Sequence, residues 1–184
     1  MISPNALGLL YAVSEVALSL LKRSQPGAAS KDTTFKLIWA VMPTTAVALL
    51  VIAALLPAAR LPYADAMYFA GLAIFLFGLF VRFGSVVQLG RFFTVDVQVA
   101  SDQRVIDTGF YRYVRHPSYA GVVITFVGLG ISTGNWLSIL VGAIPPFLAL
   151  RARIEVEERA LAEGLGEPYR DYLKRTKRLL PFVY

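Results

Sequence analysis

The chain's single histidine, His116, stands in a short stretch whose residue types could do chemistry. Pro117 suits the first position of a helix, which places His116 near the N-cap. Free backbone N–H groups and the positive end of the helix dipole attract anions at such a point. With Arg115 alongside, the stretch predicts an anion site. An interfacial belt of tyrosines with basic side chains is the alternative interpretation.

A second chemical candidate is a group of acids further along the chain. Glu158 shares the apolar stripe of an amphipathic helix with Ile154 and Leu165. A carboxylate on such a stripe needs a partner. Glu155 and Glu157 instead lie four residues from an arginine, as solvated ion pairs do. We therefore expect a special role for Glu158.

Composition limits the class of protein that can hold these residues. Of 184 residues, 57% are apolar and 16% are charged, against about 25% charged in soluble domains. The mean hydropathy is +0.60. The chain has no cysteine and one histidine, which excludes disulfides, thiolate metal sites and multi-histidine metal centres. We expect one membrane domain over residues 1–184.

Apolar runs of membrane-spanning length must position the candidate residues. Five are predicted, over about residues 4–21, 37–56, 66–89, 117–132 and 136–150. The pair Pro145-Pro146 is expected to interrupt the fifth span. This would either open a cleft from the lipid or kink the helix. The sequence thus predicts an all-α integral membrane fold with five transmembrane helices.

The distribution of positive charge predicts the orientation in the membrane. All Lys and Arg residues except Arg60 and Arg82 lie in three segments, 22–36, 91–115 and 151–178. The positive-inside rule then places the N-terminus outside and the C-terminus in the cytosol. The net charge of +6 is explained by this topology and by anionic lipid, so nucleic acid is not an expected partner.

Two charges fall inside the predicted spans, and such charges are functional candidates. Glu15 lies near the middle of the first span and Arg82 near the end of the third. We expect Glu15 to make an interhelical hydrogen bond. We expect Arg82 to snorkel or pair near the cytosolic face.

Four motifs in the second half of the chain resemble the isoprenylcysteine carboxyl methyltransferase family, which groups with the phospholipid N-methyltransferases. They are RHPSYAG at 115–121, EE at 157–158, LGEPY at 165–169 and LLP at 179–181. The resemblance covers about residues 98–181. It implies a cytosolic cofactor-binding loop and a C-terminal helical tail, with cofactor regions at about 98–119 and 151–181.

The resemblance implies S-adenosylmethionine as cofactor. The cofactor-binding residues it implies are Gln98, Gln103, Arg104, Val105, Ile106, Tyr111, His116, Pro117, Ser118, Tyr119, Glu157 and Glu158. Gln103 stands where some members have histidine. Arg153 and Glu158, five residues apart, match the arginine and glutamate of the family and are the implied catalytic residues. His116 suits the cofactor carboxylate, and Glu158 suits its ammonium or ribose hydroxyls.

The implied reaction is methyl transfer to a lipophilic acceptor, such as the carboxylate of a prenylated cysteine, at the cytosolic membrane face. A carboxylate acceptor needs no general base, whereas an amine or phenol would use Glu158 or Glu157. One alternative is an NADPH-dependent reductase of the sterol-reductase type. Those proteins usually carry asparagine where this chain has Ser118. The other alternative is a non-enzymatic membrane scaffold. The oligomeric state stays open.

Overall fold

The apolar runs of the sequence form helices whose ends differ by a few residues from the predicted spans. The computed structural model describes residues 2–21, 33–95, 99 and 102–184. Within these ranges the helices are α1 (Pro4–Leu21), α2 (Thr33–Leu55), α3 (Ala64–Leu89), α4 (Pro117–Ser132), α5 (Trp136–Leu165) and α6 (Glu167–Arg175). Short 3-10 turns lie at Pro57–Ala59, Gly90–Phe92 and Gly109–Arg112.

Helix lengths decide which elements can cross a bilayer. Among the described residues, α1, α2, α3 and α5 are long and apolar enough to do so. Helix α4 has 16 residues and is therefore about 24 Å long at about 1.5 Å per residue. A hydrocarbon core is about 30 Å thick. Four of the five predicted spans are thus confirmed by length and composition, and α4 as a fifth span stays a prediction.

Helix α4 lies in the centre of the bundle because glycines let it approach α3 closely. A Cβ atom added at Gly121 would lie 2.5 Å from the backbone nitrogen of Arg82. One added at Gly78 would lie 2.5 Å from the backbone nitrogen of Thr125. Real Cβ atoms essentially never come so near to backbone. The α3–α4 contact therefore depends on residues without a side chain, as in other membrane helix pairs.

Helix α5 is continuous from Trp136 to Leu165, with both prolines of the Pro145-Pro146 pair inside it. A break of the fifth span at these prolines is therefore wrong, whereas the alternative of a kink stays a prediction. Pro146 is fully buried, and α5 packs against α2 and α4. Tertiary packing on both sides holds the helix together although the prolines lack N–H donors.

A tight turn joins the fourth and fifth helices. Helix α4 ends at Ser132 and α5 begins at Trp136. Gly134 has φ +63°, a left-handed conformation that glycine adopts without strain. The side chain of the fully buried Asn135 accepts hydrogen bonds from the backbone of Leu137 and Ser138. This N-cap begins α5 immediately after the turn.

The core of the bundle lies between α1, α2, α3, α4 and α5. Its buried members are Leu7, Tyr11, Met42, Leu49, Phe75, Val122, Phe126, Leu129, Ala149 and Leu150. The ring of Tyr11 meets that of Phe126 edge-on at 4.9 Å between centroids. This contact joins α1 to the centre of the bundle, and polar side chains of α1 thereby come close to those of α3.

Candidate functional site

The loop that leads into α4 is paired with the C-terminal segment that follows α6. The backbone N–H of Arg115 donates to Lys177 O at 2.8 Å, and that of His116 donates to Arg178 O at 3.1 Å. In return the N–H of Lys177 donates to Tyr113 O at 3.1 Å. His116 is the N-cap of α4 and Pro117 its first residue, as the sequence predicts. The tail therefore fixes the backbone at the start of α4.

The carboxylate of Glu158 connects these two segments to α5. Its Oε1 accepts from Arg115 Nε at 2.8 Å and lies 3.3 Å from His116 Nε2. Its Oε2 accepts from Arg178 Nη2 at 2.9 Å and from Arg178 Nε at 3.1 Å. The side chain is only 10% exposed. The partner that the sequence required for Glu158 is thus a cluster of three basic side chains.

A first cavity, with an empty volume of about 780 Å³, lies between the loop after α3, the start of α4, the C-terminal half of α5 and α6. Its walls include most of the residues that the sequence assigned to a cofactor. Those in the walls are Gln103, Arg104, Val105, Ile106, Tyr111, His116, Ser118, Tyr119 and Glu157. Assigned residues from the loop after α3, from the start of α4 and from α5 therefore line the same cavity.

Three of the assigned residues that the structure describes lie outside the wall of the first cavity. Gln98 falls outside the described residues. Pro117 is fully buried and is not in the cavity wall. Glu158 lines neither of the cavities described here, because its oxygens point at the basic cluster. The expectation that Glu158 contacts a cofactor stays a prediction. Arg153 lines a second cavity instead.

The second cavity has an empty volume of about 990 Å³ and is lined largely by apolar side chains of α1 and α2. Three residues, Phe93, Thr94 and Tyr119, belong to the walls of both cavities. The two spaces therefore adjoin each other across these side chains. The first cavity is bordered by the polar loop after α3. The second is a mostly apolar cavity inside the helix bundle.

Tyr119 is held in place at the border between the two cavities. Its phenol donates a hydrogen bond of 2.7 Å to Glu157 Oε2. Its ring is stacked on that of His116, with centroids 5.5 Å apart and planes 9° from parallel. Glu157, which lines the first cavity, thus presents a carboxylate beside an aromatic face. This combination suits a positively charged ligand group.

Charged side chains lie at the end of the second cavity next to Tyr119, here called the inner end, where Arg82 and Arg153 both interact with the phenol of Tyr119. Arg153 is buried on α5, and its Nη2 donates to Val95 O at 2.8 Å while its Nη1 donates to Thr34 Oγ1 at 3.3 Å. Arg82 on α3 forms an ion pair with Glu15 on α1. The expected interhelical hydrogen bond of Glu15 is therefore confirmed. Three charged groups in a mostly apolar wall offer partners to a polar group of a ligand.

Two residues that hold the backbone of the loop before α4 were not predicted from the sequence. Gln88 donates from Nε2 to Thr108 O at 2.7 Å, and its Oε1 accepts from the N–H of Phe110 at 3.0 Å. Tyr172 donates to Tyr111 O at 2.6 Å. Burial raises the pKa of Tyr172, so its phenol stays protonated and remains a donor. The signal for Tyr172 was its spacing from Tyr169 on one face of an amphipathic helix.

The described residues contain no group of three or more His, Cys, Asp or Glu side chains that could hold a metal ion. The ligands that the cavities offer are instead carboxylates, guanidinium groups, aromatic faces and backbone. Such groups suit polar and amphipathic organic ligands.

Comparison with known proteins shows that this chain is similar to members of one protein family. The family model described as the isoprenylcysteine carboxyl methyltransferase (ICMT) family matches residues 71–163. Protein-S-isoprenylcysteine O-methyltransferase B of Arabidopsis thaliana is 30% identical over 115 residues, which are 61% of this chain and 58% of the relative. The Schizosaccharomyces pombe enzyme is 30% identical over 62% of this chain and 49% of its own length.

The Rattus norvegicus protein-S-isoprenylcysteine O-methyltransferase is 32% identical over 62% of this chain and 41% of its own length. The chain thus spans about half the length of the curated relatives it matches. A solved structure of the eukaryotic intramembrane Ras methyltransferase ICMT superimposes with a TM-score of 0.68 at 23% identity, over 97% of this chain and 64% of that one. The two share a fold. With its membrane-length helices, the chain is a multi-pass integral membrane protein.

Proposed function

Because the chain belongs to the isoprenylcysteine carboxyl methyltransferase family, we propose that it transfers a methyl group from S-adenosylmethionine to a lipophilic acceptor. The carboxylate of a prenylated cysteine, or of a related small lipid-like molecule, is the acceptor that we propose first. One observation carries the proposal: a polar cavity and an apolar cavity adjoin at Tyr119. A reaction between a polar methyl donor and a lipophilic acceptor needs a polar and an apolar binding site that adjoin each other.

The side chains in the walls of the first cavity suit the chemistry of the proposed cofactor. When bound, S-adenosylmethionine supplies a methyl group on a positively charged sulfur, which is left as a neutral thioether once the acceptor oxygen takes the methyl. Glu157 and the face of Tyr119 suit the positive groups. Ser118, in the first turn of α4, suits the carboxylate.

Adenine recognition is proposed for the loop that carries Gln103, Val105 and Ile106. These residues line the same cavity. Backbone groups of Val105 and Ile106 can read the edge of a base with hydrogen bonds, while their side chains cover its face. Glu158 is proposed to hold the loop and the tail together, so that the cavity keeps its shape.

The second cavity is proposed to hold the acceptor, with its isoprenoid chain between α1 and α2. Arg153 and Arg82 would bind the carboxylate at the inner end, since guanidinium groups suit carboxylates geometrically. A carboxylate is already a nucleophile, so this chain needs no general base for it. Its residues act by positioning the acceptor oxygen and by excluding water from the border at Tyr119.

We further propose five membrane spans, with the N-terminus outside and both cavities opening towards the cytosol. The positions of the basic segments support this orientation. The absence of cysteine from the sequence makes single-cysteine labelling direct. Ala58→Cys should react with an impermeant maleimide from outside, and Lys177→Cys only after permeabilisation. The reverse pattern would contradict the proposed orientation.

Calorimetry and methyl incorporation together test the reaction. The purified protein should bind S-adenosylmethionine and transfer labelled methyl to N-acetyl-S-farnesylcysteine. Alkali should release that label as methanol, because a carboxyl ester is base-labile whereas an N-methyl or S-methyl product is stable. Binding of NADPH without binding of S-adenosylmethionine would instead favour the reductase alternative.

A further inference from the structure

A bidentate ion pair at the inner end of the second cavity involves a helix that lies outside the family match. Glu15 belongs to α1, whereas the match covers residues 71–163. Its Oε1 accepts from Arg82 Nε at 3.0 Å, and its Oε2 accepts from Arg82 Nη2 at 2.9 Å. Both side chains line the cavity. Planar fork-to-carboxylate pairing of this kind fixes the orientation of a guanidinium group.

The third nitrogen of this guanidinium is unsatisfied. Arg82 Nη1 is buried and has no hydrogen-bond partner among the described residues. The ring of Phe93, which also lines the cavity, lies 5.6 Å from the guanidinium carbon. Buried donors nearly always have partners in native proteins. Because Arg82 also lines this mostly apolar cavity, its unpaired nitrogen is the donor that the carboxylate of a bound ligand would satisfy.

We propose that Glu15 is a positioning residue that sets the specificity of the cavity for an anionic acceptor. It occupies Nε and Nη2 of Arg82 and thereby leaves Nη1 as the donor for the acceptor carboxylate. The inference rests on the proposed function and adds to it a determinant from α1. Pre-organising a binding group lowers the entropic cost of binding.

The proposal has a direct consequence for substrate and product. A carboxylate makes a charge-assisted hydrogen bond with Arg82, and its methyl ester makes only a neutral one. Charge-assisted bonds are roughly twice as strong as neutral ones. The cavity should therefore bind the acid more tightly than the ester, and this preference should depend on Glu15. Loss of the charge on methylation would then favour product release.

Binding can be measured without turnover through Trp39, which lines the second cavity. The chain has two tryptophans, so Trp136→Phe, at the start of α5, leaves Trp39 as the only indole. Its fluorescence would be titrated in nanodiscs with S-farnesylthioacetic acid and with the methyl ester of that acid. We expect the acid to bind about tenfold more tightly. Glu15→Gln should bring the acid-to-ester ratio close to one.

A double variant separates positioning from stability. Replacing a buried ion pair by apolar residues is often neutral for stability, so Glu15→Leu with Arg82→Met should keep the melting temperature. It should nevertheless lose the preference for the acid. Ser14→Ala, beside Glu15 on α1, is the matched control and should change neither property. A wild-type acid-to-ester ratio in Glu15→Gln or in the double variant would overturn the proposal.

Kinetics distinguish this inference from the proposed function. In a protein that methylates N-acetyl-S-farnesylcysteine, Glu15→Gln should raise KM for the acceptor about tenfold and leave KM for S-adenosylmethionine unchanged. Equal rises in both KM values would overturn the inference and leave the proposed function standing. A wild type that prefers the acid but transfers no methyl would refute the proposed function and support the role of Glu15.

Discussion

The phenol of Tyr119 donates a 2.7 Å hydrogen bond to Glu157 at the place where the two cavities adjoin. Tyr119 lines both cavities, whereas Glu157 lines only the first. The tyrosine is also fixed by stacking on His116. One side chain therefore faces the proposed acceptor and, through Glu157, orients a carboxylate towards the proposed cofactor.

Tyr119→Phe tests this border position. The substitution keeps the stacked ring and removes the donor to Glu157, so we expect an unchanged fold and a kcat lowered about tenfold. The measurement is methyl transfer at saturating cofactor and acceptor. Tyr113→Phe is the control, because Tyr113 lies in the loop just before α4 and is 50% exposed. A normal kcat in Tyr119→Phe would contradict a role for the phenol.

Glu158→Gln tests the basic cluster. Removing the charge leaves Arg115 and Arg178 without their common anion, and breaking a buried ion pair costs about 3–5 kcal/mol. We expect a large fall in melting temperature and weaker cofactor binding in calorimetry, because the loop and the tail separate. Glu155→Gln, whose exposed carboxylate pairs with Arg151, should change the melting temperature little. If both variants melted alike, the cluster would not hold the loop and tail.

The sequence predicted local features of the site more reliably than distances between segments. Helical periodicity showed that Glu158 lies on an apolar face and needs a partner. It could not show that the partners are Arg115, 43 residues away, and Arg178. The Glu15–Arg82 pair, separated by 67 residues, was hidden for the same reason. Periodicity defines faces of single helices, whereas their mutual positions come from packing.

The predicted break at Pro145-Pro146 was wrong for a related physical reason. Local propensity disfavours proline inside a helix, and the sequence gives no measure of the packing that compensates. The membrane class was easier to predict, because the length of an apolar run depends only on neighbouring residues. The second cavity could not be predicted, since its walls come from helices that are distant in the chain.

Gly121→Ala tests whether close packing of α3 and α4 positions Arg82. The new Cβ would lie 2.5 Å from the backbone nitrogen of Arg82, so the helices must separate. We expect a loss of about 1–3 kcal/mol in stability and a higher KM for the acceptor. Gly8→Ala is the matched control, because its Cβ would lie 3.4 Å from the flexible side chain of Leu50. Equal melting temperatures in the two variants would refute the packing argument.

Arg153→Gln tests whether the second cavity binds the acceptor while the first binds the cofactor. The arginine lines the second cavity and is absent from the walls of the first, so its loss should affect the acceptor. We expect KM for the acceptor to rise about tenfold or more, while KM for S-adenosylmethionine stays near the wild-type value. Arg151→Gln, exposed on the same helix, controls for the change in surface charge.

The two KM values make the outcome of Arg153→Gln specific. A rise confined to the cofactor would assign Arg153 to the first cavity and contradict its position in the fold. Arg153→Ala with unchanged turnover at subsaturating acceptor would remove Arg153 from acceptor binding altogether. Arg153→Lys should give an intermediate result, because an ammonium group keeps the charge but loses the planar fork that pairs with a carboxylate. A lysine variant as active as wild type would mean that charge alone, without bidentate geometry, holds the acceptor.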